Sequence, residues 1–116
     1  MSLDLQAPLQ GLPLDELVRR ASAPPLAAET ERSLARDAAT GDESAREQLV
    51  AAHLRDVLDE AIAHRGGGVS VDSLVRRGLD GLVHAAAEYD PAKHAPFATY
   101  ARRNIRRAMR AHLFPH

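Results

Sequence analysis

The chain has 116 residues, of which 45% are hydrophobic and only 3% aromatic, and it has no cysteine. That length fits one domain, and the missing cysteines exclude a disulfide framework and a thiolate metal site. No apolar run is long enough to span a bilayer, and Met1 to Gln10 carries Asp4 but no basic residue, unlike a secretory signal. A cytoplasmic protein with no membrane partner is expected. With only Tyr89, Phe97, Tyr100 and Phe114 as aromatics, the core must be built from Leu, Val, Ile and Ala. Cores of that kind suit helix-on-helix packing. No stretch alternates β-branched and polar residues as a strand would. The net charge of −1 hides an asymmetry. Beyond Asp90 there is no acidic residue, and Lys93, Arg102, Arg103, Arg106, Arg107 and Arg110 give that segment +6, leaving −7 on the rest.

Residues 1–13 contain Pro8, Gly11 and Pro13 and read as a flexible lead-in to a helical domain over 14–113. A short amphipathic helix is predicted from Leu14 to about Ala21, ended by Pro24-Pro25. A second runs from Ala27 to Ala39, with Gly41 as its C-terminal cap. Asp42 or Ser44 can cap the third, and Ser44-Ala45-Arg46-Glu47 has the capping-box spacing. Leu49, Val50, His53, Leu54, Val57, Leu58, Ala61 and Ile62 repeat at helical spacing, so one long third helix is expected to reach His64 or Arg65. Gly66-Gly67-Gly68 stops it. No Gly-Lys-Ser/Thr follows and no strand precedes, so this is a hinge and not a phosphate loop. A fourth helix starts at the Ser70 cap and ends near Glu88, before Tyr89-Asp90-Pro91. The last runs from about Ala98 to His112. The expected architecture is all-α, a compact bundle of about five helices.

The last helix concentrates the chemistry. Arg102, Arg106 and Arg110 form one row at i, i+4, and Arg103 and Arg107 form the adjacent row. Like charges stacked this way repel by roughly 0.2–0.5 kcal/mol per pair, and no acidic residue within the helix relieves them. Two explanations follow. Carboxylates from the acidic helices neutralise the rows across a packing interface, or the rows await a polyanion such as nucleic acid phosphate. Arg suits the second role because its forked donors match phosphate and base edges.

Six histidines are present: His53, His64, His84, His94, His112 and His116. None forms a helical His-x-x-x-His pair with an interposed Glu. His112 and His116 are four apart, but Pro115 and the chain end argue against a helix there. His53 lies on a buried face and reads as a satisfied core residue. Nothing in the sequence points to an enzyme, a metal site or a cofactor.

Several segments together resemble region two of bacterial RNA polymerase sigma factors. Leu34 to Leu49 is similar to the start of that region. Ala52-His53-Leu54-Arg55 resembles its Ala-Asn-Leu-Arg, and Gly78-Leu79-Asp80-Gly81-Leu82 its Gly-x-x-Gly-Leu. Glu88-Tyr89-Asp90-Pro91 resembles Lys-Phe-Asp-Pro. Phe97-Ala98-Thr99-Tyr100-Ala101 resembles Phe-Ser-Thr-Tyr-Ala, and Ile105-Arg106 follows at the family spacing. The likeness covers roughly Leu14 to Ala111. It implies a helical bundle in which one helix docks on core RNA polymerase and the last contacts the promoter's minus-ten element and its melted strand. Aromatics would stack on unpaired bases while basic residues hold the backbone.

The resemblance places promoter contacts, including single-stranded ones, at Phe97, Tyr100, Arg102, Arg103, Arg106, Arg107 and Arg110. It places polymerase contacts at Ser73, Leu74, Arg76 and Arg77. The sequence departs from the family at both. The family's docking helix reads Asp-Leu-Ile-Gln-Glu-Gly where this chain has Ser73-Leu74-Val75-Arg76-Arg77-Gly78, a local charge reversal that would set like charges against a docking partner. The family's paired Trp positions are Arg103 and Asn104, and its base-reading Gln is Arg107, which can read guanine. The chain stops at His116 without the family's later promoter-reading domain, as an excised domain or a stand-alone protein would.

Three functions are compatible with these residues. The first is a sigma-like transcription initiation module binding promoter DNA and core RNA polymerase. The second is a protein-interaction module on a sigma-like scaffold, binding polymerase, an anti-sigma-type protein or another regulator without melting DNA. The third is a self-associating domain whose acidic and basic faces pair between copies.

Overall fold

In the computed structural model, residues 9–114 are described. The readings made for residues 1–8, Pro115 and His116 lie outside them. The regular structure of the described residues is all helical: a 3-10 turn, Leu9–Gly11, followed by six α-helices. Helix α1 is Leu14–Ala21, α2 Ala28–Ala39, α3 Glu43–Ala52, α4 Leu54–Ala63, α5 Val71–Glu88 and α6 Phe97–Leu113.

The boundaries follow local chemistry. Asp42 caps α3 by accepting from the Ala45 amide at 3.1 Å, and Ser70 caps α5 by accepting from the Ser73 amide at 3.0 Å. Gly41, Gly66 and Gly68 turn the chain at φ of +100°, +95° and +88°, a region that costs a side chain little only when that side chain is absent.

One expectation needs correction. The predicted single helix from the Asp42/Ser44 cap to His64 is two helices, α3 and α4, broken at His53, whose φ is −112° and ψ 14°. The apolar period continues through the break because Leu49, Val50, Leu54, Val57 and Ala61 all reach the same core. Periodicity reports which side is buried and is blind to a local turn that keeps that side inward. At this turn the His53 ring is held on both edges, with Nδ1 2.8 Å from Asp56 and Nε2 2.8 Å from Glu31 of α2.

Helix α5 is central, with α2, α3, α4 and α6 packed around it. Leu74, Val75, Leu79, Leu82, Ala85 and Ala86 are its buried face, and Ala101, Ile105 and Met109 are the face α6 turns toward it. The two helices approach closely because of glycine. A Cβ on Gly81 would meet the Asn104 carbonyl oxygen at 2.6 Å, and one on Gly78 would meet the Met109 methyl at 2.4 Å. The Gly-x-x-Gly spacing therefore works as a groove that seats α6. No helix among the described residues is long and apolar enough to cross a membrane.

Candidate nucleic-acid interface

Helix α6 begins after Pro96 and buries Phe97, Ala101, Asn104, Ile105 and Met109. The arginines occupy the remaining arc, and the structure splits them differently from the simple i, i+4 rows. Arg106 donates from Nε to Glu60 of α4 at 2.8 Å, and Arg102 lies 3.9 Å from Asp56 of the same helix. The neutralisation expected from the acidic helices is thus real for these two. Arg103, Arg107 and Arg110 stand at i, i+4 and i+7, are exposed, and form no ion pair among the described residues. Arg110 consequently belongs with Arg103 and Arg107, because seven residues bring a helix back to almost the same azimuth. Asn104 is 5% exposed; its amide donates to the Tyr100 carbonyl at 2.9 Å and its oxygen accepts from Arg107 at 3.2 Å. Asn104 therefore holds Arg107 in a defined direction from beneath.

The aromatic residues divide by depth. Phe97 is 3% exposed and packs edge-on against Tyr89 and His53, with ring centroids 5.2 and 5.3 Å away. It supports the interface from the core and presents no surface for a base. Tyr100 is half-buried, with Tyr89 at 5.3 Å on one side and the His94 ring stacked at 4.3 Å and 19° on another. The His94 Nδ1 accepts the Asp90 amide at 2.9 Å, which anchors the ring.

Beneath this layer lies a partly buried polar chain centred on the buried His53. His53 bridges Glu31 and Asp56, and Asp56 also faces Arg102. Burial disfavours the charged imidazole, but the Asp56 hydrogen bond and the Glu31 carboxylate outweigh it and hold the His53 pKa above its ordinary value. The Asp56 carboxyl is correspondingly held low, first by its bond to His53 and then by Arg102. Burial raises the pKa of the Tyr89 hydroxyl.

The four positions matched to polymerase docking share α5 but not one surface. Leu74 is fully buried in the core, so its contribution is to packing. Ser73 Oγ lies 2.6 Å from His112 Nε2 and fastens the start of α5 to the end of α6. Arg76 donates to the Gln10 carbonyl at 3.2 Å, to the Leu12 carbonyl, and to Asp72 at 3.2 Å. Its charge is used to hold the 3-10 turn against α5. Arg77 alone of the four is exposed, beside exposed Asp80 and His84 at i+3 and i+7. Of the two arginines in the charge reversal, only Arg77 is left without a partner inside the fold among the described residues.

Sequence reasoning left three features unspecified: which Arg–carboxylate pairs join α6 to α4, the Glu31–His53–Asp56 bridge, and the His94–Tyr100 stack. The first two join residues 46 and 22 apart, respectively, which no local pattern can reveal. The only forewarning of the first was the charge asymmetry between the two parts of the chain.

The family description Sigma-70 region 2 matches residues 49–114, the span from the end of α3 through α6. The chain is 37% identical over 112 residues to RNA polymerase sigma factor SigA of Clostridium acetobutylicum, covering 92% of this chain and 29% of that protein. It is 38% identical over 82 residues to RNA polymerase sigma-E factor of the same organism, covering 71% of this chain and 35% of that protein. It is 39% identical over 61 residues to RNA polymerase sigma factor RpoH of Rhizobium radiobacter, covering 53% and 20%. The chain spans about a third or less of the length of these relatives. The Gly-seated α5–α6 pair, the helical break over His53 and the basic last helix all lie inside the matched span, and the chain belongs to the Sigma-70 region 2 family.

Proposed function

We propose that this chain is a sigma-type transcription initiation module whose α6 binds promoter DNA, chiefly through the phosphate backbone. The observation that carries the reading is the unpaired Arg103–Arg107–Arg110 stripe on a helix whose other arginines are already neutralised by α4. Three guanidiniums kept together without acidic partners repel one another. A phosphate backbone relieves that cost, and its released counterions drive binding. Tyr100, beside the stripe, adds an aromatic ring for an unpaired base. Arg102 and Arg106 come second, because each must leave a carboxylate to reach DNA. Core RNA polymerase is the second partner, met through the Arg77 face of α5.

The test is binding of a labelled promoter fragment across a salt series. Three phosphate contacts predict a log–log slope of about −2.7 on duplex and about −2 on single strands. A flat response overturns the reading.

A second reading is favoured by one observation, that Ser73, Leu74 and Arg76 are all engaged within the fold and leave Arg77 as the altered surface position. In it, the α5 face binds an anti-sigma-type protein or another regulator in place of polymerase, and the chain melts no DNA. Arg77→Glu separates the two. Polymerase binding that appears only in this variant supports the second reading, and binding by the unaltered chain supports the first.

A further inference from the structure

Resting on the reading of α6 as a DNA surface, we infer that His94 occupies the face of Tyr100 that an unpaired base would take, so that this chain competes with nucleic acid for its own stacking site. The ring arrangement is specific. Tyr100 is the outermost aromatic of a cluster whose inner members, Tyr89 and Phe97, are 7% and 3% exposed and not available to a ligand. Tyr89 supports Tyr100 from the core at 5.3 Å. The His94 imidazole lies against Tyr100 at 4.3 Å with the planes only 19° apart, which is the geometry of a stacked base. Its Nδ1 is tied to the Asp90 amide, so the cover is built into the loop and not the chance position of a surface side chain.

The loop is made for this placement. Lys93 and His94 amides both bond the Asp90 carbonyl, at 3.0 and 2.9 Å, and the Asp90 carboxylate accepts from the Ala92 amide at 2.9 Å. This single turn between Asp90 and Pro96 carries the ring back over α6. Arg103 and Arg107, at i+3 and i+7 from Tyr100, continue outward from the covered ring. A strand held by those arginines would bring its bases to His94 first. Phosphate binding is then undiminished while base stacking is held back until the imidazole moves. His94 is a specificity-determining residue in this sense: through its ring it sets the preference between duplex and single strand.

The experiment compares His94→Ala and His94→Asn in the full chain, using a short labelled DNA single strand and its duplex. Asn keeps an acceptor for the Asp90 amide but removes the ring, so it controls for loosening of the loop. Both variants are expected to bind the single strand about tenfold more tightly than the unaltered chain, the scale of one base–aromatic stack. Adding Tyr100→Ala to either is expected to return the affinity to its starting level. Unchanged or weaker binding in both variants, or a gain in His94→Ala alone, overturns the inference. Absence of duplex binding in the unaltered chain would instead mean that the DNA reading of α6 has failed. Proton NMR of the free chain gives a readout without DNA: the His94 ring signals are shifted by the Tyr100 ring current and lose that shift in Tyr100→Ala, and their failure to do so overturns the stack itself.

Discussion

Arg106 and Arg107 are adjacent in sequence and identical in chemistry, yet they face different worlds. Arg106 reaches 2.8 Å to Glu60 across the α4–α6 contact, with Glu60 largely buried. Arg107 lies on the far flank with Arg103 and Arg110 and meets only the neutral Asn104 oxygen. The inner flank uses its positive charge to hold the bundle together. The outer flank carries its charge with no acidic partner among the described residues. A row of arginines thus carries no function until the neighbouring helix is known, because a carboxylate within reach is itself a phosphate substitute.

The contrast can be broken most directly by replacing Arg103, Arg107 and Arg110 with Ala. The salt slope on duplex should fall by about one per arginine, leaving little salt-dependent binding. Replacing Arg102 and Arg106 should change it far less; equal losses from the two sets would erase the distinction between flanks. Gly81→Ala attacks both flanks at once. The new methyl meets the Asn104 carbonyl, a backbone atom that cannot rotate away, so α6 must shift at a cost of about 1–3 kcal/mol. Thermal unfolding should show a clear drop in Tm, and an unchanged Tm would mean the helices are less tightly seated than they look.

A smaller effect is expected from Glu60→Gln. Arg106 is half-exposed in this pair, and such ion pairs contribute about 0–1 kcal/mol, so stability should fall by no more than that. Arg106 would become available to DNA, and the slope should steepen by about one. No steepening would mean Arg106 never reaches the nucleic acid. The subtlest test is pH. Because the folded-state pKa of His53 is raised above its ordinary 6.5, its bridge contributes fully below that value and is lost as pH rises through the folded pKa. Asp56, lowered from 3.8, contributes above its ordinary value and is lost as pH falls. Stability of the unaltered chain should therefore decline on the alkaline side of 6.5 in a way that His53→Gln does not reproduce. Parallel profiles would remove His53 as the cause.

Much of this protein was legible in its sequence. The all-helical class, the Ser70 cap, the glycine stops and the approximate helix ends depend on neighbours a few residues away, and local chemistry is written locally; between Asp42 and Ser44 the sequence left the α3 cap open, and the structure gives it to Asp42 with Ser44 inside the helix. Most of the buried side of α3 and α4 followed from period, because a helix needs no partner to define which side is apolar. The family was legible for a related reason: the spacing of Gly78 and Gly81 and the Phe97 to Ala101 run are constraints of one close helix crossing. Tertiary structure alone decided the break at His53, the burial of Phe97, the engagement of Arg76 by the 3-10 turn, and the division of the arginines. Each depends on where a distant side chain arrives, Glu31 against His53 or Glu60 against Arg106. Charge acts through space, and only the fold sets those distances.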